Sequence, residues 1–318
     1  MSSCFPSSFI YVTNGSISCG VSKHTKGKKN PSLVKLPVDS NVSSLSNKSS
    51  KDRNFSGPVT SQGSGIGILG GVSLESTLNF AKKLVNFKLE DGENGLPFVL
   101  CSDPALSKDL LSLERGSFPN LNPVKPASIG VDQSSVVENL RCKRNFLEKS
   151  GVSCIVMPCH VLHSWYDEIA EGCSVPVLNM GVCVANELKE AKLRPLEAGS
   201  PLRIGVLATN AGLATRFYQE KLENEGFEVI LPDKATMEHV VIPAVEALKR
   251  KDTEGAQNLF RIALQVLLVR AVNRIILASD EFLEVLPPDD PLWQNCIHPI
   301  DALARSTAKY AQSTGRSK

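Results

Sequence analysis

Ile66-Gly67-Ile68-Leu69-Gly70-Gly71, followed by Ser73, reads as a short buried strand that ends in a tight glycine turn and opens a helix. Ile204-Gly205-Val206-Leu207-Ala208-Thr209, followed by Asn210, repeats the design in the second half of the chain. The later parts of each half also correspond. Cys154-Ile155-Val156-Met157 leads to Pro158-Cys159 as Arg274-Ile275-Ile276-Leu277 leads to Ala278-Ser279. An ancient duplication is the simplest source of such a pattern. In open α/β sheets ligands bind at the carboxyl ends of the strands, so Cys159 and Ser279 are expected on opposite walls of one cleft.

Working outward, apolar strand candidates alternate with helix-length amphipathic segments, which is the pattern of parallel sheets covered by helices. Strands are expected at 65–69, 97–101, 154–157, 175–178, 203–207, 228–231 and 274–277. Helices are expected at 74–87, 133–150, 163–171, 182–190, 214–225, 237–250, 254–272 and 299–313. The fold class is α/β, with two pseudo-symmetric domains, each a mainly parallel sheet flanked by helices, and a site in the interdomain cleft. The first domain is expected at 65–180 completed by 297–314, the second at 181–296.

Composition narrows the functions. The chain has 318 residues, 42% of them apolar and 21% charged, with a formal net charge of +2. No apolar run is long enough for a membrane helix, and the folded part carries no basic face suited to nucleic acid. The nine cysteines (Cys4, Cys19, Cys101, Cys142, Cys154, Cys159, Cys173, Cys183, Cys296) follow no disulfide framework and contain no C-x-x-C pair, so neither disulfides nor a metal site is expected. Residues 1–57 are rich in Ser, Lys and Asn and poor in acids. Such a segment cannot bury enough apolar surface to order itself. It matches an organelle transit peptide better than a secretory signal, because the patch Phe9-Ile10-Tyr11-Val12 is too short for an h-region. A chloroplast location is expected, with a cytoplasmic one as the alternative.

Gly67-Ile68-Leu69-Gly70-Gly71-Val72-Ser73-Leu74-Glu75-Ser76-Thr77, Pro158-Cys159-His160-Val161-Leu162-His163 and Gly205-Val206-Leu207-Ala208-Thr209-Asn210-Ala211-Gly212 resemble the motifs of the aspartate/glutamate racemase superfamily. The resemblance covers 65–312. It implies two pseudo-symmetric α/β domains, catalysis without pyridoxal phosphate or any other cofactor, a small amino or carboxylic acid as substrate, and a homodimer. It also implies that Cys159 is the acid/base residue and that Gly70, Gly71, Val72, Thr209, Asn210 and Glu281 hold substrate. Two departures stand out. Where the family carries a second catalytic cysteine in Gly-Cys-Thr-Glu, this chain has Ala278-Ser279-Asp280-Glu281. The family's substrate-binding arginine loop resembles Pro104-Ala105-Leu106-Ser107-Lys108-Asp109, in which Lys108 is the remaining cation.

Racemisation at Cα requires one group to remove a proton and a second group, on the opposite face, to deliver one. A thiol can be tuned for this by a helix N-terminus or a nearby cation. A serine hydroxyl without an adjacent base is a poor acid and a poor base, so His160, His163 and Asp280 are auxiliary candidates beside Cys159 and Ser279. Three outcomes stay open at this level. They are racemisation with an unorthodox second acid, one-base decarboxylation or isomerisation at Cys159, and a non-catalytic ligand-binding role. Gly65-Ile66-Gly67-Ile68-Leu69-Gly70 fits G-x-G-x-x-G only within the strand, with no acidic residue at the end of a following strand, so no nucleotide signature competes.

Overall fold

The computed structural model describes residues 9–13, 16–20, 65–87, 96–116, 133–196, 199–209, 213–282 and 285–315. In chain order the elements are β1 (Phe9–Thr13), β2 (Ser16–Gly20), β3 (Gly65–Leu69), α1 (Leu74–Val85), β4 (Phe98–Cys101), α2 (Pro104–Gly116), α3 (Gln133–Lys149), β5 (Val152–Val156), α4 (Tyr166–Ala170), β6 (Val177–Leu178), α5 (Met180–Glu190) and β7 (Arg203–Leu207). They continue with α6 (Leu213–Asn224), β8 (Glu228–Ile230), α7 (Lys234–Thr236), α8 (Ile242–Lys249), α9 (Thr253–Leu268), β9 (Arg274–Leu277), β10 (Cys296–Ile297) and α10 (Pro299–Gly315). The strands form two sheets, ordered β2-β1-β4-β3-β5-β6 and β10-β9-β7-β8.

The duplication inferred from sequence is visible in the pairing. β3 lies between β4 and β5, with β6 outside β5, and all of these neighbours are parallel. β7 lies in the same way between β8 and β9, with β10 outside β9. Each half therefore folds as one α/β unit, as expected from the alternation of strand and helix signals. The central strands bury every residue of β3 and all but the first of β7, which is why their sequences are continuous apolar runs rather than alternating ones.

The two sheets are not independent bodies. One buried cluster runs through Ile66, Phe80, Met180, Val206, Tyr218 and Ile276 and so joins both. α10 packs on α1, α5 and β5, and Lys83 of α1 pairs with Asp301 of α10 at 2.6 Å. A buried Ile or Leu contributes about 1.5–3 kcal/mol, so this shared layer holds the strand ends of the two halves in a fixed relation.

Several elements differ from expectation, each for a local reason. α2 occupies the segment read as a loop. Asp103 accepts a hydrogen bond from the Ala105 N–H at 2.9 Å and pairs with buried Lys143 of α3 at 2.9 Å, while Pro104 suits a first helical turn. The helix expected over 237–250 contains a π-helical turn at Met237–Val241. Pro243 lacks an N–H and crowds the carbonyl four residues earlier, which a widened turn accommodates. The leader expected to be wholly disordered contains β1 and β2, with β1 antiparallel to β4. β4 would otherwise expose a row of unpaired backbone groups, and the aromatic and β-branched residues 9–12 suit a strand. The rest of 1–57 lies outside the described residues. Among the described residues, no helix is long and apolar enough to cross a membrane, and no cluster of His, Cys, Asp and Glu could hold a metal ion.

Candidate functional site

Cys159 follows β5 and Ser279 follows β9, the corresponding strands of the two halves, and both line one cavity of about 1200 Å³. The turn after β3 leads into α1, whose first residues Ser73, Leu74, Glu75 and Ser76 form another part of the wall. Ser73 caps this helix by accepting the Ser76 N–H at 3.1 Å. The N–H groups that open a helix have no partners within it; the capping serine takes that of Ser76, and Leu74 and Glu75 line the cavity together with Cys159.

The Cys159 side chain is buried under Gly71. A Cβ on Gly71 would lie 2.4 Å from both Cβ and Sγ of Cys159, so glycine is needed for this approach and not only for the turn. The approach lets the Val72 N–H donate to Sγ at 3.4 Å. The N–H groups of Val161 and Leu162 also favour the thiolate, but burial outweighs them and pushes the thiol up to about 12. The resting group is therefore a thiol. Gly71→Ala is expected to destabilise the fold by about 1–3 kcal/mol, the usual penalty for overpacking, read as a lower urea midpoint. An unchanged midpoint would mean that the turn yields freely and that the close approach is incidental.

Ser279 mirrors this arrangement. Its Oγ accepts the Thr209 N–H at 2.8 Å and lies 3.0 Å from Thr209 Oγ1. Among the described residues, no base is bonded to it. Asp280 follows directly, and its Oδ1 lies 3.6 Å from His160 Nε2. That distance exceeds hydrogen-bond length, and Oδ1 is a buried acceptor without a partner. Burial raises the Asp280 carboxyl, but the adjacent His160, with a further contribution from Ser76, more than offsets it, so the net shift is downward. Asp280 is a carboxylate at neutral pH.

His160 Nδ1 lies 3.0 Å from the Tyr218 hydroxyl. Burial raises the Tyr218 hydroxyl well above its ordinary range, so it stays protonated and shares a hydrogen bond with Nδ1. Tyr218, His160 and Asp280 thus form one buried line that crosses from α6 to the ends of β5 and β9. From sequence, Ser76 stands out only as part of a matching motif and Tyr218 as a residue downstream of one, because their role depends on a contact between the halves.

The other candidates fall in three groups. Val72 and Glu281 line the cavity with Cys159, His160, Ser279 and Asp280. Asn210 lies outside the described residues. Gly70, His163 and Lys108 are not brought to the cavity. The Gly70 N–H, expected to cradle a carboxylate, donates instead to the Cys101 carbonyl at 2.8 Å. His163, an auxiliary candidate, would share a face with Cys159 four residues earlier only if the segment were α-helical. The segment Val161–Trp165 is a 3-10 helix, which turns three residues at a time and rotates that position away. His163 Nε2 donates to the Met157 carbonyl at 3.1 Å, and its ring stacks on Phe217 at 4.9 Å. Burial lowers its pKa to about 3, so it is a neutral packing residue. Lys108 is exposed on α2; the cations that line the cavity are Lys82 and Lys249.

The family profile described as Asp/Glu/Hydantoin racemase matches residues 69–307. A candidate Asp/Glu racemase from Yersinia pestis superposes with a TM-score of 0.60 at 21% identity, covering 78% of this chain and 99% of that one. An aspartate racemase homologue from Pyrococcus horikoshii gives 0.59 at 19% identity, with the same coverage of 78% and 99%. In sequence, the chain is 37% identical over 87 residues to the broad specificity amino-acid racemase RacX of Bacillus subtilis, a match that spans 27% of this chain and 34% of RacX. It is 27% identical over 122 residues to an uncharacterised protein of Pectobacterium carotovorum, across 38% of this chain and 75% of that protein.

Proposed function

Because the chain belongs to the Asp/Glu/hydantoin racemase family, we propose that it inverts the α-carbon of a small amino acid without a cofactor, using Cys159 and Asp280 on opposite faces of the substrate. The observation that carries this reading is that a thiol and a carboxylate, one oxygen of which makes no hydrogen bond, line one cavity from the corresponding strand ends of the two halves. The resemblance of one segment to a broad specificity amino-acid racemase supports an amino acid as substrate.

The substrate carboxylate binds the first-turn N–H groups of α1, where the helix dipole favours an anion. Asp280 takes the α-proton, and the electron pair left behind delocalises into that carboxylate. Cys159 delivers its thiol proton to the opposite face. The thiolate that results is held by the Val72, Val161 and Leu162 N–H groups. Proton exchange with water, or turnover of the opposite enantiomer, restores the resting pair. Ser279 orients the turn at Thr209 and transfers no proton.

The test is incubation in D₂O with L-amino acids, following α-proton loss by NMR and the D-isomer by chiral chromatography. Deuterated D-isomer is the expected product. The pH profile follows from the two shifts. Activity is lost as pH falls through the depressed Asp280 value, is flat through neutrality, and falls again only toward about 12, where the thiol ionises. Deuterium exchange without inversion would replace this reading with one-base chemistry at Cys159. A decline already complete near neutral pH would remove Asp280 from the base role.

A further inference from the structure

The cavity that holds Cys159 is larger, and more apolar at its mouth, than a short dicarboxylic acid requires. Its volume of about 1200 Å³ lies above the range of about 300–1,000 Å³ that is usual for small-molecule sites. Leu74 and Leu78 lie one turn apart on α1 and line it while 49% and 40% exposed. Leu111 of α2 and Leu248 of α8 reach the same space. A single exposed leucine needs no explanation, but four from three helices converging on one cavity form a patch suited to an apolar partner.

The charges point the same way. Asp280 and Glu281, beside Ser279, are acids, and so is Glu75 at the start of α1. Lys82 lies eight residues beyond Leu74 on α1, about 12 Å along the helix axis, and Lys249 sits at the end of α8. Among the described residues, no cation therefore lies beside the first-turn N–H groups that would take the α-carboxylate.

We infer that the substrate is an α-amino acid with a large apolar side chain, of the leucine, methionine or phenylalanine kind, in preference to aspartate or glutamate. The inference rests on the function proposed above. With the α-carboxylate on the first turn of α1 and Cα beside Cys159, the side chain runs along Leu74 and Leu78 toward the mouth. A short side-chain carboxylate on that path loses water against leucine beside Glu75, before the path reaches Lys82, one helical turn beyond Leu78 on the same face, which is unfavourable.

Two measurements test this. The first is kcat/KM for α-deuterium incorporation with L-Leu, L-Met and L-Phe against L-Asp and L-Glu, in the native protein and in Leu78→Arg. Apolar substrates are expected to lead by about tenfold to a few hundredfold, and Leu78→Arg is expected to raise KM for L-Leu while lowering that for L-Asp. Aspartate or glutamate leading in the native protein would overturn the inference and leave the proposed racemase standing. The second is calorimetric titration of L-Leu and L-Asp into the native protein and Cys159→Ser, which reads the pocket without turnover. If no amino acid exchanges its α-proton, the racemase proposal fails, and the titration still decides the pocket. Tighter L-Leu binding sustains the apolar preference, whereas tighter L-Asp binding, or binding of neither, overturns it.

Discussion

Cys159→Ser is expected to lower α-deuterium incorporation by about 10³-fold, within the range of about 10²–10⁴ usual for loss of a general acid or base, with little change in Tm. The rate falls because a hydroxyl gives up its proton far less readily than a thiol, even one raised to about 12 by burial. It falls also because the three N–H groups gathered around Sγ have their effect only when the atom becomes anionic. They are arranged for charge that develops during the reaction, which is where such donors contribute most. Stability changes little because the site collapses by only the difference between sulfur and oxygen, under a glycine that already sits as close as it can. Cys159→Ala should match the loss in rate. A variant that keeps more than a tenth of the native rate would exclude Cys159 from proton transfer and return the site to ligand binding.

Much of the fold is legible in the sequence because the central strands are buried on both faces. β3, β7 and β9 have the expected bounds, since an apolar run of four or five residues between turn residues is too short for a helix and fits a buried strand. Legibility fails where tertiary contacts decide. β10 is two residues long and exists by pairing with β9. Helix α2 depends on the Asp103 cap and on buried Lys143 from another helix. The hairpin of β1 and β2 depends on the open edge of β4. Apart from the Asp103 cap, none of these partners is near in sequence.

The site follows the same division. Cys159 and Ser279 could be placed on one cleft because equivalent strand ends in two repeated halves must face each other once the halves pack. The line from Tyr218 through His160 to Asp280 could not be placed, because its geometry needs α6 of the second half to lie against the end of β5 in the first. His163 shows the opposite failure. Its spacing from Cys159 looks meaningful on an α-helix and loses that meaning on a 3-10 turn, where stacking on Phe217 accounts for it.

Asp280→Asn is expected to lower racemisation by about 10²–10³-fold, whereas Ser279→Ala should change it less than about tenfold, because the Ser279 hydroxyl is bonded to Thr209 and touches no base among the described residues. The decisive variant is the double one. In Asp280→Asn the face opposite Cys159 has lost its proton acceptor, and Ser279→Cys would place a thiol there, receiving the Thr209 N–H much as Cys159 receives that of Val72. Restoring racemisation at least tenfold over Asp280→Asn alone would show that the two positions serve one function in turn. The effects must then be strongly non-additive, since residues that supply the same proton step do not contribute independently. Equal activity of Asp280→Asn and the native protein would mean that Asp280 only positions His160. The proton on that face would then come from His160 itself, and His160→Gln should carry the loss instead. On the proposed function, one half of the proton transfer moves from position 279 either to Asp280, its neighbour at the end of β9, or to His160 at the end of β5, which Asp280 faces.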